Sequence, residues 1–358
     1  MKLKAYLFFI VLLLAGTTVT AQRTVRTNAV KSNNFGVVYS LPKTSVVVKL
    51  KVKKTTYERG EFYQYSQRFL NLAPITDNYS EYLLEDVIVV NRAVVDTSNS
   101  YMVAFRSNAI SPYVSLTEEG LIAAINDDVK LEREEYFTLP QADADFIDPT
   151  LYLPAEVLHA GSNAKRAELI AKQIFDLRQS KNDILMGEAD NMPPDGEAYK
   201  VVMQELNNQE QALTEMFTGR SKSEYLTQEY TIVPTMDPIH KEVVARFSTK
   251  LGLVEADNLA GAPIYLSLEP MDNQDLPQEY LTNPAAYEKK VSKGMVYNIP
   301  GKAQLTLEYN NRRLKAMEMD VVQYGSKDVL THKTITNKKR PLKIQFFPHL
   351  GAIKQITE

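Results

Sequence analysis

Four carboxylates fall within ten residues of the stretch GEADNMPPDGE: Glu188, Asp190, Asp195 and Glu197. Acids packed that densely can hold a hard cation or move a proton. A calcium loop needs oxygens converging on one point, with a glycine at a fixed place and a closing glutamate. The spacing here fits no such loop, and Pro193-Pro194 stiffens it. Asp143, Asp145 and Asp148 form a second acidic cluster, which lacks the glycine and the closing glutamate and reads as an interdomain loop. The four histidines, His159, His240, His332 and His349, are too far apart in sequence for a helical zinc pair. Without cysteine, thiol catalysis and thiolate metal sites are excluded. No Gly-x-Ser-x-Gly elbow, Walker loop or dinucleotide fingerprint occurs. The sequence therefore assigns no catalytic, cofactor-binding or metal-ligating residue. A triad or carboxylate pair assembled only in space stays open.

The aromatic supply is lopsided, with 20 tyrosines and no tryptophan. Tyr57, Phe62, Tyr63, Tyr65, Tyr79 and Tyr82 crowd into one region. Phe62, Tyr65, Phe69 and Leu72 recur at the three- and four-residue spacing of a short helix packed on a sheet. Tyr57, Tyr63, Tyr79 and Tyr82 are left as a candidate partner-binding patch. Tyrosine offers a flat apolar face and a polar tip, suited to a protein partner or a glycan.

The elements that must position these residues follow from hydrophobic periodicity. In Val46–Lys53 the even positions are apolar and the odd ones turn to lysine, which predicts a strand with one face on a core and lysines toward water. Val87–Val95 and Tyr101–Arg106 flank the turn-like Asp96–Ser100 and predict a hairpin. Tyr113–Leu116 and Leu121–Ile125 flank Thr117–Gly120 and predict another. From Ser162 the period becomes helical. Ala167, Ile170, Ile174 and Leu177 form one stripe, Ser162 or Asn163 can cap the start, and Gly187 suits the left-handed end. After the prolines, Asp195 is the expected N-cap of a second helix, with Glu197 in its first turn. Val202, Leu206, Leu213 and Phe217 are its stripe. The acids of the opening stretch thus act as helix ends, and the two helices form an antiparallel pair. Strand patterns resume at Ser223–Val233, Val243–Thr249 and Ile264–Leu268. Gly252 and Gly261 bracket a loop or short helical turn at Val254–Leu259. Ala303–Tyr309 and Leu314–Val322 flank Asn310-Asn311, a hairpin turn. Leu342, Ile344 and Phe346 alternate near the end.

The expected fold class is α+β: two antiparallel β-rich units, residues 36–150 and 220–358, with an intervening antiparallel helical hairpin at 151–219. Lys2 and Lys4, the apolar run Leu7–Ala15 and the small-residue exit Val19–Ala21 have the layout of a signal peptide over residues 1–21. The run is shorter than the ~20 residues a bilayer span needs. Residues 22–35 read as a flexible segment. Cleavage after Ala21 removes two of the 41 basic residues and none of the 44 acidic ones, taking the net charge from −3 to −5. Such a chain has no electrostatic draw to nucleic acid or anionic lipid. It is expected in the periplasm or at the outer membrane, without a transmembrane segment in the mature chain. Lacking cysteine, it is not a lipoprotein.

The order of RGEFYQYSQRFLNL, ILMGEADNMPPDGEAYKVVMQELNNQEQALTEMFTG, RFSTKLGLVEADNLAGAPIYL, YNIPGKAQLTLEYNNRRL and FFPHLGAI resembles an uncharacterised family of secreted Bacteroidota proteins, a domain of unknown function. The resemblance implies export and origin but carries no active residues or cofactor. The residues favour a non-enzymatic binding or scaffolding module that docks another envelope protein. The alternatives are a hydrolase acting on envelope glycan or peptide, and a glycan-binding module.

Overall fold

The computed structural model describes residues 36–104, 113–129, 134–141, 143, 145–191, 196–271, 283, 285–286, 294–331 and 342–357. The segment 1–35, Asp195, His332 and most of 272–293 lie outside these residues.

The fold is α+β and mostly β, as the periodicity implies, with three antiparallel sheets and a helical hairpin. The first sheet centres on β1 (Gly36–Glu58), flanked by β2 (Tyr79–Ala104) and β5 (Arg220–Ile232). A small sheet takes β3 (Val114–Leu116) and β4 (Ile122–Ile125), then β11 (Lys343–Phe347) and β12 (Ala352–Thr357). The five-stranded sheet holds β6 (Ile239–Ser248), β7 (Gly252–Val254), β8 (Ala262–Pro270), β9 (Gly294–Tyr309) and β10 (Arg312–Thr331), in the order β10-β9-β8-β6-β7. Since β5 pairs with β1, the first sheet continues across residue 220. The helices are α1 (Ser66–Leu70), α2 (Ala155–Leu158), α3 (Asn163–Met186) and α4 (Glu197–Thr218).

The main core lies between the first and five-stranded sheets. Val46, Val48, Leu50 and Val52 of β1 meet Leu266, Leu305, Leu307 and Val321. Tyr39 and Leu41 of the same strand enter a second core with Ile122, Val296, Leu330 and Phe346. Side chains alternate along a strand, so even and odd positions face opposite ways. β1 is therefore a wall between two cores, one on each of its faces.

Side chains, Tyr39 and Gln323 foremost, tie β1 to β9 and β10 where no backbone ladder joins them. The Tyr39 hydroxyl donates to the Val296 carbonyl (2.9 Å) and accepts from the Val296 amide (2.7 Å). The Gln323 side chain accepts from the Thr44 amide (3.0 Å) and donates to the Thr44 carbonyl (2.8 Å).

Several sequence expectations need correction. Lys49 does not face water: it is 2% exposed. Residues 134–137 cover it, with its ammonium 2.8 Å from the Glu134 carboxylate, donating to the Glu135 carbonyl (2.6 Å) and 3.5 Å from the Tyr136 ring centre. Burial pushes the Glu134 carboxyl up, but the hydrogen bonds from Lys49 and Arg92 outweigh it and hold the group low. Val87–Ala104 is not a hairpin but part of one strand, because β1 is long enough to pair on both sides of Asp96–Ser100. The N-cap position of α4 is Gly196, with φ 85°, rather than Asp195.

Other expectations hold. Ser162 Oγ accepts from the Lys165 amide, and Gly187 ends α3 with φ 75°. Asn310 and Asn311 both take positive φ, which a tight two-residue hairpin turn requires. The helices are antiparallel: Glu210 binds Arg178 (2.6 Å), while Asn207, one turn earlier on α4, binds Lys181 (2.9 Å), one turn later on α3. Their stripes are buried at Ala167, Ile170, Ile174, Leu213 and Phe217, whereas Val202 is exposed.

Truncating Gln323 strips the Thr44 amide and carbonyl of their partners. Gln323→Ala should lower the unfolding free energy by about 2 kcal/mol or more, measured by urea denaturation. An unchanged midpoint would show that these bonds do not hold the sheets in place.

Candidate functional site

The structure divides the four candidate tyrosines. Tyr57 and Tyr79 are cross-strand partners with rings stacked at 4.6 Å and 16°. Tyr63 opens a short 3-10 turn, with the Arg59 guanidinium 4.6 Å from its ring centre. Tyr82 sits on the opposite face of β2 from Tyr79, packs against the main core and donates its amide to the Thr249 carbonyl (2.8 Å). Gly252, with φ 78°, lies against the Tyr82 ring, where a Cβ would come within 2.8 Å. The tyrosines thus form one stacked pair, with Tyr79 exposed and Tyr57 half-buried, not a continuous patch.

Of the acidic cluster, Glu188 and Asp190 are exposed and Glu197 binds Lys200 at 2.8 Å. Among the described residues no three His, Asp or Glu side chains converge as metal ligands. His240 lies in β6 and its Nδ1 is 2.7 Å from the Glu269 carboxylate. A cleft of about 540 Å³ between the end of β1 and the end of α4 gathers Glu58, Glu61 and Asp148. Each has a partner there or beside it: Glu58 binds Arg220 (2.7 Å), Glu61 binds Arg166 (2.9 Å), and Asp148 accepts from the Thr150 amide (2.9 Å). The Thr150 bonds hold the Asp148 carboxyl below its ordinary range. This cleft is larger than the pocket below but offers less unsatisfied chemistry.

The smaller pocket, about 270 Å³, forms where two hairpins lose register. On β2, Thr97–Asn99 loop out between the Leu41–Asp96 and Ser40–Ser100 pairs. On β10, Val322–Gly325 loop out between the Val321–Gly301 and Ser326–Ile299 pairs. Such bulges re-aim side chains and are common beside active sites. Here they deliver Asp96 and Asn99 from one strand and Gln323, Ser326 and Lys327 from another, facing Lys43 of β1 and Asn298 of β9.

Asp96 organises the first loop. It accepts from the Ser98 amide (3.2 Å), the Ser98 hydroxyl (2.5 Å) and the Asn99 side-chain amide (2.6 Å), with Lys43 at 3.2 Å. Burial pushes its carboxyl up, but these bonds outweigh that and bring it from the ordinary 3.8 to about 2. Lys327 is half-buried and donates to Asn99 Oδ1. Among the described residues no carboxylate forms an ion pair with it. Burial lowers the ammonium's pKa; Asp96 opposes this and Lys43 adds to it. Asn298 is 1% exposed; its Nδ2 donates to the Pro42 (3.3 Å) and Leu350 (2.8 Å) carbonyls. Asn298 Oδ1 and Ser326 Oγ are buried without a partner. A buried polar atom left unmatched is costly; both atoms are shut off from solvent and lie behind the pocket wall.

Sequence reasoning did not single out these residues. Its one available signal was Gly325, inside an otherwise alternating strand, where glycine marks a bulge or close approach. A Cβ at this position would run into the Ile299 carbonyl oxygen.

Residues 35–354 match the model of a domain of unknown function, DUF4831, and the chain belongs to that family. No curated protein and no solved structure matches it.

The depressed Asp96 carboxyl stabilises the fold above the ordinary aspartate pKa, and that stability is lost as pH falls toward 2. Asp96→Asn should cost about 2 kcal/mol at pH 7. The gap from the parent protein should close between pH 4 and pH 2, followed by thermal unfolding across pH. A gap that stays constant over this range would contradict the assignment.

Proposed function

We propose that the protein is a non-enzymatic binding protein, exported to the cell envelope of a Bacteroidota cell and matured by cleavage after Ala21. The observation that carries this reading is the pocket between the two strand irregularities, lined by a half-buried lysine with which no carboxylate among the described residues forms an ion pair. Its groups are suited to holding a ligand. Among the described residues, the carboxylates whose acidity the fold alters, Asp96, Asp127, Glu134, Asp145, Asp148 and Glu210, all move downward. A glycosidase-type general acid needs the opposite shift. A protein partner is further supported by β2 and β5, the two edge strands of the first sheet, since an edge can accept an added strand. Tyr79, 46% exposed, stands on β2. A glycan platform on Tyr57 and Tyr79 is less well supported, because the rings cover each other. No described helix is long and apolar enough to cross a membrane.

Native mass spectrometry of protein purified gently from the envelope fraction tests the reading. The mature chain should begin at Gln22 and carry a ligand or partner in stoichiometric amount. A chain without either, which releases product from purified cell-wall material, would contradict it.

A further inference from the structure

We infer that the side chains of Lys327 and Asn99 join in an amide bond, with loss of ammonia, and so link β10 to β2 covalently. The inference goes beyond the binding reading above. The bond withdraws one ammonium from the pocket, leaves Lys43 as its cation, and does not touch the strand edges offered to a protein partner.

The two strand irregularities bring the reacting groups together. Asn99 stands in the loop-out of β2, and Lys327 lies just beyond that of β10. The Lys327 ammonium donates to Asn99 Oδ1, which sets Nζ beside Cγ, the carbon to be attacked. The same oxygen accepts from the Tyr101 hydroxyl (3.3 Å), a donor aimed where negative charge develops during attack. The amide nitrogen donates to Asp96 Oδ2 (2.6 Å). Amine, carbonyl, oxygen donor and a carboxylate on the leaving nitrogen thus meet at one amide. Asparagine's terminal torsion is soft, so a turn about Cβ–Cγ presents the face of Cγ to Nζ.

An amide resists amines in water, and positioning must overcome that. Groups held in reacting geometry reach effective molarities of ~10⁵ M or more. Lysine attacks only as the free amine. Burial lowers the Lys327 pKa and so raises the free-amine share. Lys181 also donates to an asparagine, Asn207 (2.9 Å), but it is shared with Glu210 at an exposed place on the helical hairpin. The step balances without oxidant or reductant. The Nζ–Cγ bond forms and the Cγ–Nδ2 bond breaks. Two protons leave the lysine ammonium as it becomes an amide N–H, and they convert the departing amide nitrogen to an ammonium ion. Asp96, already bonded to that nitrogen, is the group placed to carry them.

The chain has no cysteine, so no disulfide fastens its sheets. β2 and β10 belong to different sheets, and the bond closes a span of 228 residues between them. Closing a long span restrains the unfolded chain.

Tryptic digestion of the purified protein with tandem mass spectrometry tests the inference. Trypsin does not cut after an acylated lysine, so residues 93–106 and 316–333 should appear as one branched peptide joined at Asn99 and Lys327. Its mass should be that of the two together less one ammonia. The intact mass does not decide, because Gln22 at a new N-terminus can cyclise with the same loss. Lys327→Arg and Asn99→Ala should each give linear peptides only. Tyr101→Phe, which removes one hydroxyl, should raise the linear share several-fold. Linear 93–106 and 316–327 as the sole products of the parent protein would overturn the inference. So would an Asn99 converted to aspartate, since water would then be the attacking group. The parent protein carries this test, so it stands even where a variant fails to fold. Linear peptides beside a stoichiometric ligand or partner would remove the bond and leave the binding reading standing.

Discussion

Side chains stand in for a missing backbone ladder between β1 and the β9–β10 hairpin, and the arrangement of the protein depends on them. β1 belongs to one sheet, β9 and β10 to another. Where they meet, the Tyr39 hydroxyl exchanges two hydrogen bonds with the backbone of Val296, and the Gln323 side chain exchanges two with that of Thr44. Each contact spans more than 250 residues. Backbone groups buried between sheets must find partners, and here side chains provide them at defined points. That fixes how the sheets align and so where their irregularities fall. The pocket is a consequence of this alignment: one loop-out comes from the partner of β1, the other from the partner of β9.

β1 carries a second constraint. Its even-numbered valines face the main core, while Tyr39 and Leu41 face another. A strand used on both faces cannot slip by one residue without exchanging what each core receives. Lys49 lies on the face away from the main core, yet it is buried. The segment over it supplies a carboxylate, a carbonyl and a tyrosine ring, which replace the lost hydration of the ammonium. The same segment extends to Asp145, whose bond from Lys222 anchors it against β5.

Elements governed by local chemistry were legible in the sequence. The helix from Ser162 to Gly187 follows from an apolar stripe, a cap and a glycine end, all within one segment. The hairpin at Asn310-Asn311 follows from two residues that tolerate positive φ. Misreadings arose where a distant segment decides the outcome. Asp96–Ser100 has turn composition, and Asp96 does bind its own loop, but continued pairing with β1 makes that loop a bulge. Lysine alternation normally marks a wet face, and only the covering segment keeps Lys49 dry. The pocket was illegible for the same reason. Asp96, Asn298 and Lys327 are scattered through the chain, and no periodicity links them. The tyrosine cluster was visible as composition, but strand alternation sends Tyr79 and Tyr82 to opposite faces.

The central claim is that side chains, in place of a backbone ladder, set how the two sheets align. The most direct measurement is amide hydrogen exchange at Val296 and Thr44, whose amides bond to the Tyr39 hydroxyl and the Gln323 side chain. The Val296 amide should lose about tenfold or more of its protection in Tyr39→Phe, and the Thr44 amide likewise in Gln323→Ala. Unchanged protection in both variants would contradict the claim.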